Sequence, residues 1–419
     1  MLALALVVRI AVIIATPNFV PIFDAADFHR HTVSIASGHG YPSPQLGLHG
    51  PTAFRPPLYP IALAIVQELG GGLTADRVLG ALLGVATVLM AFLLSERLWG
   101  RRVATVAGVL AALFPPLAVL NASLLSEVLF IPLSLAALLA ALRYREDRRL
   151  QWAVAAGVLC GLAVLTRTNG LLLVVALALG VWTLRPRLSR AALVAPVVVV
   201  LATLVTVSPW IIRNTIVFHR FVGLGTGAGY ALAGTYNAES RDRAAHPGEP
   251  FSPNVLGTFR DVFAKRNLDE DQFIGRLNDR AMRYIRAHPG YVLETMAWNV
   301  LRVFDIERRG AFSRDFSAQE VEALRVGNID SAAVFLGSLY AVLALVLLGV
   351  VAQASVLPSR RAPLFVWVAP LMLLLPALAI YGLPRYRAPI DPFLVMLAAV
   401  GLVAAYDQLA RRRARAAAE

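Results

Sequence analysis

Residues 76–102 read DRVLGALLGVATVLMAFLLSERLWGRR, and residues 103–149 continue VATVAGVLAALFPPLAVLNASLLSEVLFIPLSLAALLAALRYREDRR. Apolar runs at 76–96, 103–120 and 124–142 approach the roughly 20 residues that an α-helix needs to cross a hydrocarbon core. Arginines gather in the breaks, first Arg97, Arg101 and Arg102, then the group from Arg143 to Arg149. Working outward, further runs of this kind fall at 1–18, 151–166, 169–184, 191–211, 331–354, 363–381 and 389–408. The clusters Arg185–Arg190, Arg360–Arg361 and Arg411–Arg415 then recur at every second connection. With a cytoplasmic N-terminus, ten spans put all five clusters on one side, as the excess of basic residues in cytoplasmic loops requires.

The expected fold is therefore an all-α polytopic membrane bundle of about ten helices in a bacterial cytoplasmic membrane, with one large extracytoplasmic insertion. Composition agrees: the chain is 58% hydrophobic and 16% charged, with a mean hydropathy of +0.66, where soluble domains carry roughly 25% charge. The net charge of +13 is almost wholly arginine, Lys265 being the one lysine, and its clustering between apolar runs indicates topology. Nucleic-acid binding is not expected, since no basic face with interleaved aromatics is present. The single cysteine, Cys160, excludes an internal disulfide framework and a cysteine-based zinc site.

The division expected is a membrane bundle over 1–211 that includes a first outer loop at 19–75, an outer insertion over 212–330, membrane helices over 331–410 and a basic tail over 411–419. The first span is expected to be retained, because a basic n-region and a small-x-small cleavage site are missing before Asp24. Within the insertion, 237–256 reads as loop. Asp271–His288 and Tyr291–Ile306 show helical apolar spacing broken at Pro289-Gly290. The second of these fits either a helix on the membrane surface or an ordinary helix of a folded subdomain.

Charged residues near the outer boundary are the functional candidates, since an ionisable group at membrane depth is costly unless it faces a polar cavity or a partner. After the first span comes Phe23-Asp24-Ala25-Ala26-Asp27-Phe28-His29-Arg30-His31. Asp24 is a fitting N-cap there, and Asp24, Asp27 and His31 fall on one face of a short helix. Further on, Arg55-Pro56-Pro57-Leu58-Tyr59-Pro60 sets a planar guanidinium at a proline-started helix, an arrangement suited to phosphate. Glu127, Arg167, Arg385 and Arg387, with Asp391 close behind, complete the set. Such residues can share the transfer of a sugar from a lipid-linked phosphate. Preorganised arginines stabilise the leaving phosphate, and one carboxylate takes the acceptor proton, giving an inverting single displacement.

At these residues the sequence resembles glycosyltransferase family 39, the relatives of protein O-mannosyltransferases and of the lipid A aminoarabinose transferase, with the GT-C membrane fold. The resemblance rests on Asp24 to Phe28, the Arg55 block, Ser126-Glu127, Leu165-Thr166-Arg167, Pro209-Trp210-Ile211-Ile212-Arg213-Asn214, Ala287-His288-Pro289 and Arg385-Tyr386-Arg387-Ala388-Pro389. It implies a polyprenyl-phosphate-sugar donor and a lipid, glycan or protein acceptor met at the outer face. It further implies Asp24 as base and Glu127 as the second acid, with Arg55 and Arg385 or Arg387 toward the donor phosphate. Many relatives carry Asp-Glu where this chain has Asp24-Ala25, so Asp24 and Asp27 both remain candidates for the base. Arg167 is expected beside the phosphate, and His31, Tyr59, Arg213 and Asn214 along the acceptor groove. No cofactor is expected; a divalent metal on Asp27 and His31, or on His29 and His31, is the less favoured option. The alternative is a transporter or lipid-linked-sugar flippase using the same charges as a translocation path, against which stands the absence of paired, symmetry-related broken helices.

Overall fold

The computed structural model describes residues 1–42, 48, 50–183, 186, 188–265, 268–307, 331–355 and 362–417. Parts of the Arg185–Arg190 cluster, Arg360, Arg361 and residues 308–330 of the insertion lie outside the described residues. Every one of the ten apolar runs is helical. They are α1 (Leu2–Ala15), α4 (Leu73–Trp99), α5 (Arg101–Leu113) continued by the short α6 (Pro115–Leu120), α7 (Glu127–Asp147), α8 (Leu150–Thr166), α9 (Leu173–Val181), α10 (Arg190–Phe218), α16 (Ser331–Ser355), α17 (Leu364–Ala379) and α18 (Asp391–Ala416). Two helices of the first outer loop, α2 (Phe23–Ala36) and α3 (Leu58–Glu68), precede α4. Among the described residues of the insertion there are five helices, α11 (Gly227–Thr235), α12 (Ala238–Arg243), α13 (Arg260–Phe263), α14 (Glu270–Ala287) and α15 (Pro289–Val303). There is no β-strand among the described residues.

Among the described residues, five helices are long and apolar enough to cross a membrane by length and composition, and shorter apolar helices stand among them. Within the bundle, α8 packs between α7 and α10, α4 packs on α5 and α7, and α16 runs along α18. At Gly349 a Cβ would meet the Leu397 carbonyl oxygen at 2.1 Å. The α16 and α18 backbones therefore touch there, the close approach that small residues allow between membrane helices.

The third run breaks where its prolines dictate. Pro115 and Pro116 have no N–H to give Ala111 and Ala112, so those carbonyls lose their helical partners. Arg9 of α1 supplies them: it is fully buried, and its Nη1 and Nη2 donate to the Ala112 and Ala111 carbonyls at 3.3 and 3.4 Å. Nε donates to Asn121 Oδ1 at 2.8 Å. Arg77 of α4 does similar work beside it, donating to the Ala122 and Thr16 carbonyls, each at 2.9 Å.

The insertion is tied to the bundle through the end of α17. A helix terminus leaves its last carbonyls unbonded, and Asn299 Nδ2 donates to the Leu378 carbonyl at 2.8 Å while Tyr236 and Thr235 hydroxyls donate to those of Ala379 and Ile380. Its own core is Leu256, Phe259, Phe273, Ile274 and Leu277, and Asp269 caps α14 by accepting from the Gln272 N–H at 2.9 Å. The helix at 289–303 packs on α17 through its buried face and leaves Leu293 and Val300 exposed.

Candidate active site

Helix α2, residues 52–56 and the connections α8–α9 and α17–α18 meet the insertion at one end of the bundle, around a cavity of about 770 Å³. The opposite end carries the arginine clusters that are described, partly paired as Arg97 with Glu146 and Arg102 with Asp407. α2 delivers the acidic wall. It begins at Phe23 after an extended Ile22, with no side-chain cap, so Asp24 is a first-turn residue and not the N-cap that the sequence led us to expect. Freed of capping, its carboxylate projects to the cavity.

Asp24 is bracketed by two guanidiniums: Arg55 Nη2 donates to Oδ1 and Arg385 Nη2 to Oδ2, across 361 residues of chain in the second case. Asp27, one turn on, accepts from Arg55 Nε at 2.7 Å and from Arg30 at 3.0 Å. Burial by itself pushes the Asp24 carboxyl up, but Arg385 and Arg55 overcome it and hold the group below the usual carboxylate range. At Asp27 burial is likewise outweighed, by the contact with His31 and then by Arg55, and the carboxyl again sits low. Aromatic rings of the same wall stack on the cations. Arg55 lies over Phe28 and Phe54 at 5.0 and 5.2 Å, and Arg385 and Arg167 both lie over Tyr386, at 4.9 and 5.5 Å.

Glu127 stands one layer deeper and is fully buried. It pairs with Arg167 Nη1 at 2.7 Å and lies 3.9 Å from Arg385 Nε. Its place is behind the arginines, where it orders two of them without lining the cavity. Asp24, Asp27, Arg55, Arg167 and Arg385 do line it.

Five of the expected site residues are elsewhere. Arg387 turns away from the cavity, donating to Asp391 and to the Val303 carbonyl, each at 2.8 Å, so it fastens the start of α18 to the insertion. His31 is buried against the Asp27 carbonyl, at 2.8 Å, and the Tyr41 ring. Tyr59 is buried edge-on to Phe28. Arg213 reaches the Thr52 carbonyl at 2.8 Å from between the Tyr41 and Trp210 rings. Asn214 Nδ2 donates to the Gly223 carbonyl at 3.0 Å. These residues shape the loops that carry the site; none lines the cavity.

What sequence reasoning did not single out are the residues by which the insertion shares the wall: Tyr230, Phe251, Ser252 and Glu270 line the cavity together with Phe54 of the first outer loop. Glu270 is buried and accepts from the Ala53 N–H at 2.8 Å and from the Thr52 and Thr226 hydroxyls, joining α14 to the loop that bears Arg55. Burial pushes its carboxyl up against those hydrogen bonds. An acidic triplet, Asp269-Glu270-Asp271, was the one signal available, and it reads as ordinary first-turn charge. Among the described residues no group of three or more His, Cys, Asp or Glu is placed to hold a metal ion.

Comparison with known proteins gives this geometry its context. Residues 54–212 match the family model described as dolichyl-phosphate-mannose-protein mannosyltransferase. No curated protein matches the chain. Among solved structures, oligosaccharyltransferase AglB of Archaeoglobus fulgidus, in complex with an inhibitory peptide and a dolichol-phosphate, aligns with a TM-score of 0.53 at 16% identity, covering 100% of this chain and 51% of that one. The apo form of that organism's oligosaccharyltransferase aligns at 0.52 and 17% identity, with coverages of 100% and 51%. The chain thus spans about half the length of these proteins, and at such identity the likeness is one of fold. ArnT of Cupriavidus metallidurans bound to undecaprenyl phosphate aligns at a TM-score of 0.41 and 17% identity over 96% of this chain and 76% of that one. The resemblance read from the sequence is met in the family model and in the fold: this is a multi-pass membrane protein of GT-C architecture.

Proposed function

We propose that the chain is a membrane glycosyltransferase that moves a sugar from a polyprenyl-phosphate donor to an acceptor hydroxyl at the extracytoplasmic face. The observation that carries the reading is the convergence of Arg55, Arg167 and Arg385 on the cavity wall that also presents Asp24 and Asp27. Three fixed cations beside carboxylates suit a reaction that expels an anionic phosphate and needs a base. The donor phosphate takes up Arg55 and Arg385 in place of the Asp24 carboxylate, which regains basicity as its cations are shared. The acceptor O–H gives its proton to Asp24, or to Asp27 beside it, while its oxygen bonds to the anomeric carbon from the face opposite the phosphate. The anomeric C–O bond breaks with its electron pair on the leaving phosphate, and the configuration inverts.

Leu171, Pro376, Ala377 and Ile380 supply an apolar stretch of the same wall, suited to an isoprenoid chain. The described arginine clusters occupy the other end of the bundle, and the preference of basic loops for the cytoplasm supports reading the cavity as extracytoplasmic, in the bacterial cytoplasmic membrane that the sequence suggests. Nothing favours a translocation path, since the deep charges Arg9 and Arg77 are tied to backbone carbonyls and do not line the cavity. The test is transfer from radiolabelled polyprenyl-phosphate sugars by the protein in nanodiscs. Asp24→Asn is expected to abolish transfer with yield and topology intact; full activity in that variant removes Asp24 as base and promotes Asp27. Failure to consume any lipid-linked sugar defeats the reading.

A further inference from the structure

One turn of the cavity wall holds two polar atoms that the fold leaves unanswered. The segment Thr166-Arg167-Thr168-Asn169 links α8 to the 3-10 turn Thr168–Leu172, and all four residues line the cavity. Arg167 spends Nη1 on Glu127 and Ser126, at 2.7 and 3.1 Å. Its Nε is buried and has no hydrogen-bond partner among the described residues, and the same holds for Asn169 Oδ1. Buried polar atoms in native proteins are almost always bonded, so each such atom calls for a reason. Leaving one unmatched costs about 1–3 kcal/mol, and here two occur within three residues on the wall of a single cavity.

Their polarities are opposite. Arg167 Nε is a donor that needs an acceptor, while Asn169 Oδ1 is an acceptor that needs a donor. A phosphate oxygen answers the first, and neither the diester of a glycosylated lipid nor the dianion of a bare lipid phosphate has a hydrogen to give the second. A sugar hydroxyl answers the second. We infer that the 166–169 turn reads the donor as a phosphosugar, with Arg167 Nε on a phosphate oxygen and Asn169 Oδ1 accepting from a hydroxyl of the transferred sugar. Asn169 is thereby a specificity-determining residue: it distinguishes the glycosylated lipid from the bare lipid phosphate left after transfer, and so favours release of spent carrier. The assignment rests on the donor reading above.

The test compares two probes on the protein in nanodiscs, undecaprenyl phosphate and undecaprenyl phosphate carrying a single hexose or pentose, each over a panel of sugars. The wild type is expected to bind at least one glycosylated probe more tightly than the bare phosphate. Asn169→Ala is expected to cut that preference about fivefold to tenfold, the worth of one hydrogen bond, without changing affinity for undecaprenyl phosphate. Asn169→Ser, which keeps an accepting oxygen, should fall between. Arg167→Gln should weaken both probes together. A preference unchanged in Asn169→Ala, or equal losses for both probes there, overturns the inference and leaves the donor reading standing. A wild type that binds undecaprenyl phosphate but prefers no glycosylated probe overturns it likewise. Binding of neither probe type by the wild type defeats both.

Discussion

Two sets of arginines in this protein, one buried inside the bundle and one partly buried at the cavity, are held in opposite ways. Arg9 and Arg77, inside the bundle, spend their guanidiniums on backbone carbonyls, an asparagine oxygen and a threonine, with no carboxylate among their bonded partners. Arg55, Arg167 and Arg385, at the cavity, are each matched to Asp24, Asp27 or Glu127. The difference is one of exchangeability. A carbonyl orphaned by Pro115 or Pro116 has nowhere else to turn, so its bond to Arg9 belongs to the fold. A carboxylate partner is an anion occupying an anion site, and a phosphate can take its place.

Breaking the cavity set should give the largest effect. Arg385→Ala is expected to lower transfer by about 10²–10³-fold, the usual loss for one preorganised group that stabilises developing negative charge, with the apparent melting midpoint close to wild type. Arg387→Ala, two positions on, should instead lower the midpoint and spare donor binding in the folded fraction, since its bonds join α18 to the insertion. Equal losses of transfer in the two variants would erase the distinction.

Next comes the interior set. Arg9→Met leaves the Ala111 and Ala112 carbonyls and Asn121 Oδ1 without their donor, at a cost of roughly 2–4 kcal/mol. The expected result is a lowered apparent midpoint and yield, with undecaprenyl phosphate affinity unchanged in the protein that folds. A smaller effect sharpens the idea of exchange: Asp24→Asn removes the resident anion and should bind undecaprenyl phosphate a few-fold more tightly, measured by titration, even as transfer is lost. Weaker phosphate binding in that variant would show that the carboxylate does not compete for the arginines.

The smallest effect is in pH. The depressed carboxyls of Asp24 and Asp27 contribute stability that is present above the ordinary carboxylate value of about 4 and is lost only as pH falls through their lower folded values. The arginine clamp should therefore hold unchanged from neutral pH down to about 5. Glu270 runs the other way. With its folded value raised, its contribution is most favourable at low pH and declines as pH rises through the unfolded and then the folded value. The apparent midpoint should gain from Glu270 as pH falls toward the ordinary carboxylate value of about 4, and Glu270→Gln should remove that contribution.

The candidate site was half legible in the sequence for a physical reason. Asp24, Asp27, Arg55, Arg167 and Arg385 stood out because a charge beside an apolar run is expensive, and such cost marks a residue wherever the chain takes it. Residues marked only by their place in a motif went elsewhere: His31, Tyr59, Arg213 and Asn214 share the motifs, but their partners are ring faces and loop carbonyls. Arg387 had Asp391 four residues away and took it. Glu270 and Asn169 were invisible, being a first-turn acid on an amphipathic helix and a turn asparagine, both ordinary until their surroundings are known.

By itself the sequence determined that its long apolar runs are helices, because about twenty apolar residues in lipid have only the helix to satisfy their backbone. Its prolines also set the break at 115–116. Only the tertiary structure decided that Arg9 repairs that break, that Glu127 stands behind the arginines, and that the insertion closes the cavity with Tyr230, Phe251 and Glu270. Those are pairings between atoms from 40 to more than 200 residues apart. Hydropathy and spacing record the local cost of a charge or a broken helix, and carry no record of which distant group will meet it.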